Sequence, residues 1–178
     1  MKSFLKSLSA LILVAFVLTG CDLFDKADDI GFDRKLPLVF VINEGNISAD
    51  PVTYSETEIL NALNDDEITK YANKIKQIKL NKITYKIENY SAPEEVVFSD
   101  GSLQINAGKA LATITSLTLQ NTEEADVVTD PLSFEDFAAQ LKDDKQISIN
   151  MQGTLSKTPV TFKLTAYFHV TVTAEVLK

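Results

Sequence analysis

The 178-residue chain is poor in the residues that most often build reactive sites, with one cysteine, one histidine and no tryptophan. A single cysteine excludes a disulfide within the chain, so stability must come from apolar burial. A zinc site needs several His, Cys or carboxylate ligands, and besides its carboxylates this chain can supply only one histidine and one cysteine. Tryptophan is the usual platform of sugar-binding modules, and only Tyr54, Tyr90 and Tyr167 remain as candidate sugar contacts.

A basic excess is also missing. The chain has 17 Lys and Arg against 25 Asp and Glu, a formal net charge of −8. Binding to nucleic acid by counterion release needs a positive surface, so this class of partner is excluded. The one basic stretch is best read as the solvated outer face of a strand, which lysine protects from edge pairing. Lipid phosphate or anionic polysaccharide is the alternative contact. The stretch consists of Lys74, Lys76, Lys79, Lys82 and Lys86.

Residues 1–20 have the layout of a secretory signal. Lys2 and Lys6 precede an apolar run over residues 10–18, and no acidic residue occurs before residue 22. The run is well short of the roughly 20 residues that cross a bilayer. The pattern therefore predicts an export segment and not a membrane span.

The run ends in Leu18-Thr19-Gly20-Cys21, which resembles the lipobox of bacterial lipoproteins. The resemblance covers residues 1–21 only. It implies cleavage before Cys21, a diacylglyceryl thioether on the sulfur and commonly a further acyl chain, such as palmitate, on the amine. Several acyl chains hold a protein at a membrane without a transmembrane helix. The alternative is a secretory signal that merely ends in cysteine.

Residues 21–34 are polar and acidic, and we expect the lipidated cysteine and a tether there, followed by one domain over residues 35–178. Acidic residues directly behind the cysteine resemble lipoprotein sorting signals. In some Gram-negative groups they favour the outer membrane, on its periplasmic face or at the cell surface, and in others an aspartate there implies the inner membrane. We expect a cell-envelope location, with the outer membrane favoured.

The domain is predicted to be rich in β-structure, and its last strand gives the strongest signal. Every even position from 160 to 176 is apolar, which is a single strand register. Such a length requires either an elongated sheet or a strand that bends between two sheets. Shorter strands are predicted at 36–42, an edge strand with Pro37, at 78–87 with a slip near Asn81, and at 96–98, 103–105, 110–120 and 147–155.

Three short helices are predicted beside these strands. Ser55 and Glu58 match a capping box for a helix through Leu63, and a second helix is expected from residue 65 or 66 through 75. A third begins after Ser133, its predicted N-cap. The fold class is therefore mainly β, all-β or α+β: an antiparallel β-sandwich of about seven strands with two or three short helices. A barrel is the alternative.

No catalytic or metal-binding constellation is recognisable, and no cofactor is predicted. His169 falls on the polar face of the last strand and is interpreted as an ordinary surface residue. The acidic loop 123–130 lacks the spacing of an EF-hand and is interpreted as solvated acidic turns, with adventitious calcium binding as the alternative. We therefore expect a non-catalytic envelope lipoprotein that binds or scaffolds a protein, polysaccharide or lipid. The rivals are a carrier of an apolar ligand, and an enzyme in which carboxylates converge or His169 meets a hydroxyl.

Overall fold

The fold is that of a computed structural model, in which residues 29–105 and 108–176 are described. The predicted signal segment, Cys21 and the first part of the predicted tether lie outside these residues. The strands are β1 Asp29–Ser48, β2 Val52–Asn61, β3 Ile75–Ser91, β4 Val97–Ile105, β5 Lys109–Thr118, β6 Ala125–Asp126, β7 Val128–Thr129, β8 Gln146–Leu155 and β9 Thr158–Glu175. The α-helices are α1 Asp66–Lys70 and α2 Phe134–Asp144.

These strands form two antiparallel sheets. One has the order β1-β9-β3-β6 and the other the order β2-β8-β4-β5-β7. Seven strands are long, while β6 and β7 have two residues each. The predicted β-sandwich and its strand number are confirmed, and the separation into two sheets decides against a barrel.

Strand β9 lies at the centre of the four-stranded sheet and pairs with β1 and β3 along its length. Its even residues from Val160 to Ala174 are buried, as the alternation predicts. The strand does not bend into the other sheet, so the elongated sheet is the correct alternative. At the usual rise per residue β9 spans about 56 Å. Asp29 pairs with Glu175 at one end of the sheet, here called the base, and Ser48 pairs with Thr158 at the other, the tip.

The two halves of β9 are covered by different layers. Toward the tip, Leu164 faces the five-stranded sheet, where it shares a small cavity with Phe98 and Met151. Toward the base, the ring of Phe137 on α2 stacks on Phe168 at a centroid distance of 5.2 Å. The predicted helix is thus confirmed. Its expected N-cap, Ser133, makes no capping hydrogen bond through its side chain.

The helix predicted from Ser55 is wrong. Residues 55–61 belong to β2, which pairs with β8 without a break from Val52↔Leu155 to Asn61↔Gln146, and only Ala62–Asn64 form a short 3-10 helix. A capping box stabilises a helix by only a few backbone donors, whereas the neighbouring strand satisfies backbone groups along the whole segment. The second predicted helix does form, but it ends at Lys70, and Ile75 already begins β3.

Two further boundaries differ from the prediction. Strand β1 begins at Asp29, so residues 29–34 are part of the sheet and not of the tether, because β9 continues far enough to pair with them. The strands predicted at 96–98 and 103–105 are one strand, β4, and its pairing with β8 is irregular between Ser99 and Ser102. Asp100 there has a positive φ of 50°. The predicted slip near Asn81 is confirmed as a register shift between Leu80 and Lys82.

The outer strands of the four-stranded sheet carry features that discourage pairing with another chain. In β1, Pro37 removes a backbone donor. On the edge of β3 that faces away from β9, β6 pairs only with Thr84 and Tyr85, and no strand in the described part of the chain pairs with residues 75–83 on that edge; lysines stand there instead. Lys79, Lys82 and Lys86 lie opposite outward-facing residues of β9, in accord with the outer strand face predicted for the basic stretch.

Candidate functional site

The polar side chains that converge most closely lie on the outer face of the four-stranded sheet. The odd residues of β9 point to this face, and His169 there has Lys35 of β1 and Lys82 of β3 as its strand neighbours. The segment after β5 brings Glu124 over the same face. We call Lys35, Thr84, Glu124, Tyr167 and His169 the His169 cluster.

Glu124 is the centre of the His169 cluster. It forms an ion pair with Lys35 and accepts a hydrogen bond of 2.6 Å from the Thr84 hydroxyl. Its Oε1 is 3.3 Å from His169 Nε2. The hydrogen bond from Lys35, followed by that from Thr84, lowers the pKa of Glu124 to about 2. The Lys35 ammonium also lies 4.0 Å from the centroid of the Tyr167 ring.

A histidine, a hydroxyl and a carboxylate thus meet, which is the combination that an enzyme would use. Thr84 Oγ1 lies 3.0 Å from His169 Nε2, but the single hydroxyl hydrogen is donated to Glu124. In this arrangement the contact with His169 is made through a hydrogen on Nε2, and that nitrogen is then not oriented to take a proton from Thr84. Thr84 is only 2% exposed, which keeps its oxygen from a substrate.

The geometry instead fits a structural role, in which the cluster holds a loop segment against the sheet. Glu124 fastens the segment between β5 and β6 to the outer face of the sheet, and Thr122 adds backbone and side-chain hydrogen bonds to Ile87. His169 lies on the outer face of the sheet, where it was predicted, but its side chain is only 23% exposed and contacts Thr84 and Glu124. Sequence reasoning placed it on the correct face but could not show its partners on other strands.

The interior offers little space for a ligand. The cavity between the sheets has a volume of about 20 Å³, roughly that of one water molecule, and its walls include Ile83, Leu103 and Leu164. A lipid chain needs far more room. The cavity in the described part of the chain therefore does not favour the apolar-ligand carrier.

Among residues 29–105 and 108–176, no group of three or more His, Cys, Asp or Glu side chains is arranged to hold a metal ion. None of the helices in the same ranges is both long and apolar enough to cross a membrane.

A second candidate surface lies at the tip. Three turns meet there, joining β1 to β2, β3 to β4 and β8 to β9, and they enclose an open groove of about 280 Å³. We call it the tip groove. Its apolar walls are Ile47, Ala49, Pro93, Val96 and Pro159. Sequence reasoning missed it, because the only signal is an isolated isoleucine, Ile47, in the polar stretch that ends β1.

No protein-family model matches the chain, and no curated protein matches its sequence. Three solved structures of viral proteins are similar in fold. They are the decameric BFDV capsid protein (TM-score 0.49, 7% identity, 80% of this chain and 99% of that chain), desmodium yellow mottle tymovirus (0.40, 11%, 84% and 89%) and turnip yellow mosaic virus (0.38, 9%, 84% and 98%). At these identities the similarity concerns the fold alone.

Proposed function

We propose that this protein is a lipid-anchored lipoprotein of the bacterial cell envelope whose β-sandwich is a non-catalytic binding or scaffolding module. The observation that carries the proposal is the lipobox-like Leu18-Thr19-Gly20-Cys21 behind an export segment. Acylation of Cys21 would attach the chain to a membrane, and the acidic residues that follow favour the outer membrane.

The arrangement of the described residues supports this proposal. The first of them, Asp29, follows Cys21 by eight residues and lies at the base of the long sheet. A lipid on Cys21 would therefore attach the protein at its base and leave the tip at the opposite end. Such a display suits a module that presents a surface to another envelope component.

Two features support a non-catalytic role. The polar side chains of the His169 cluster contact one another, and the hydroxyl of Thr84 is buried. The interior cavity has the size of a single water molecule. Turnover of an ester, glycoside or peptide substrate by the purified protein, abolished by His169→Ala, would contradict this part of the proposal.

The anchor is tested with Cys21→Ser in a bacterial host. We expect loss of radiolabelled palmitate incorporation and transfer of the protein from the membrane fraction to the soluble fraction, because the thioether cannot form. Thr19→Ser is the matched control, since it keeps a small residue beside the cysteine and should retain both properties. Unchanged labelling and fractionation of Cys21→Ser would refute the anchor.

A further inference from the structure

The tip groove is an apolar surface that no other part of the described chain covers. Val96 forms its floor at 1% exposure, while Ile47 stands at its rim with 89% of its surface exposed. Pockets for small organic ligands usually enclose about 300–1,000 Å³. At about 280 Å³ and open to solvent, the groove suits one inserted side chain with its adjoining backbone.

The turns around the tip groove carry a net negative charge. The turns that form the tip contain three carboxylates, Asp50, Glu94 and Glu95, and one lysine, Lys157. Lys157 is already engaged, because its ammonium lies 2.6 Å from Glu94. Asp50 and Glu95 are exposed and form no ion pair within the described residues. The lining residues Glu94 and Lys157 thus compensate each other, and the uncompensated negative charge beside the groove comes from Asp50 and Glu95, which adjoin the lining residues Ala49 and Glu94 in the chain.

We propose that the tip groove binds a segment of another protein in which one aliphatic side chain is flanked by lysine or arginine. The aliphatic side chain would fill the groove against Val96 and Ile47, and the flanking cations would meet Asp50 and Glu95. An apolar anchor in a pocket with a charged rim is the arrangement in which a few residues supply most of the binding energy. Complementary charge adds specificity and a faster association.

The same charges disfavour other occupants. Two copies of this tip would bring like-charged carboxylates together, which opposes self-association. Anionic lipid headgroups would be repelled as well. The proposal rests on the binding role proposed above and adds the surface and the chemistry of the partner. The tip lies about 56 Å along β9 from the base, where the anchor would attach.

The test uses the chain from residue 21 with Cys21→Ser, isotope-labelled for NMR titration. The probes are three short acetylated and amidated peptides: a central isoleucine between lysines, the same isoleucine between glutamates, and serine between lysines. We expect the first peptide to shift the backbone signals of Ile47, Val96 and Lys157, and to bind at least about tenfold more tightly than the other two.

Variants of the protein sharpen the test. Ile47→Asp and Glu95→Lys should each weaken binding of the first peptide about tenfold, since they remove the apolar rim and the charge complement. The matched control is Leu132→Asp, because Leu132 is 87% exposed and precedes α2, outside the groove. This control should bind as the parent does.

Three outcomes would overturn the proposal. They are the absence of shifts at the tip, equal binding of all three peptides, and concentration-dependent shifts at the tip without peptide, which would make a second copy the occupant. None of these outcomes affects palmitate labelling of Cys21, so the anchor and the tip groove can fail independently.

Discussion

The two halves of β9 share one uninterrupted alternation of apolar and polar residues, yet they are buried in different ways. Toward the tip, the apolar face packs against the second sheet through Leu164 and Phe98. Toward the base, it packs against α2 through Phe168 and Phe137. A strand needs only a close-packed apolar neighbour on its buried face, and either layer supplies one. The second sheet can therefore be shorter than β9, because the helical layer buries the base half of the strand.

The largest expected effect concerns the base half. Phe137→Ala should lower the free energy of unfolding by about 3–5 kcal/mol, because Phe137 is fully buried and its loss leaves a cavity beside Phe168. Urea denaturation followed by circular dichroism measures this change. Phe134→Ala is the control on the same helix and should cost less, as Phe134 is only partly buried. Equal losses of stability for both variants would show that the buried face of α2 does not pack specifically against β9.

A smaller effect is expected in the tip half, where Phe98 fills the space above two glycines. A Cβ at Gly153 would overlap the Phe98 ring, which is 2% exposed, and a Cβ at Gly101 would overlap the same ring. Gly153→Ala should therefore cost about 1–3 kcal/mol through overpacking, measured by the same denaturation.

The control for this substitution is Gly31→Ala, which meets no atom within 4 Å and should change stability by less than about 0.5 kcal/mol. A Gly153→Ala variant as stable as Gly31→Ala would show that the sheet-to-sheet packing is loose, unlike the packing under α2.

The smallest effect concerns the outer face, where the His169 cluster lies between the two halves. The pKa of Glu124 is lowered from 4.5 to about 2, so its contribution to stability is present above pH 4.5 and is lost as the pH falls toward 2. About a third of its side chain is exposed, and we expect this contribution to be at most about 1 kcal/mol.

Glu124→Gln should accordingly be less stable than the parent at neutral pH and approach it below pH 4.5, measured by urea denaturation over a pH series. Glu123→Gln, the adjacent carboxylate, is the control and should show no such convergence. A constant difference between the parent and Glu124→Gln across the series would show that the carboxylate charge is not what holds the segment.

Some elements could be predicted because short-range periodicity is enough to specify them. The period of two in β9, the helical spacing of Phe134, Phe137 and Leu141 and the slip near Asn81 were each visible over a few residues. The capping box at Ser55 was an equally local signal, and it was wrong because β8 offered this segment a complete ladder of backbone hydrogen bonds. Local propensity is a weak preference that tertiary pairing overrides.

The His169 cluster and the tip groove could not be predicted in this way. Thr84 and His169 are 85 positions apart in the chain, and Lys35 and Glu124 are 89 apart, so only strand order and register bring them together. The tip groove similarly needs three separate turns to meet at one end of the sheet.

By itself, the sequence determined the acidic charge, the lack of disulfide chemistry within the chain and the β-rich class, since these depend on composition and on alternation along the strand. It also contains the lipobox-like motif on which the proposed anchor rests. The tertiary structure alone decided which layer covers each half of β9, which side chains neutralise one another and which apolar residues stay uncovered at the tip. These depend on contacts between distant segments, and such contacts exist only once the sheets have paired.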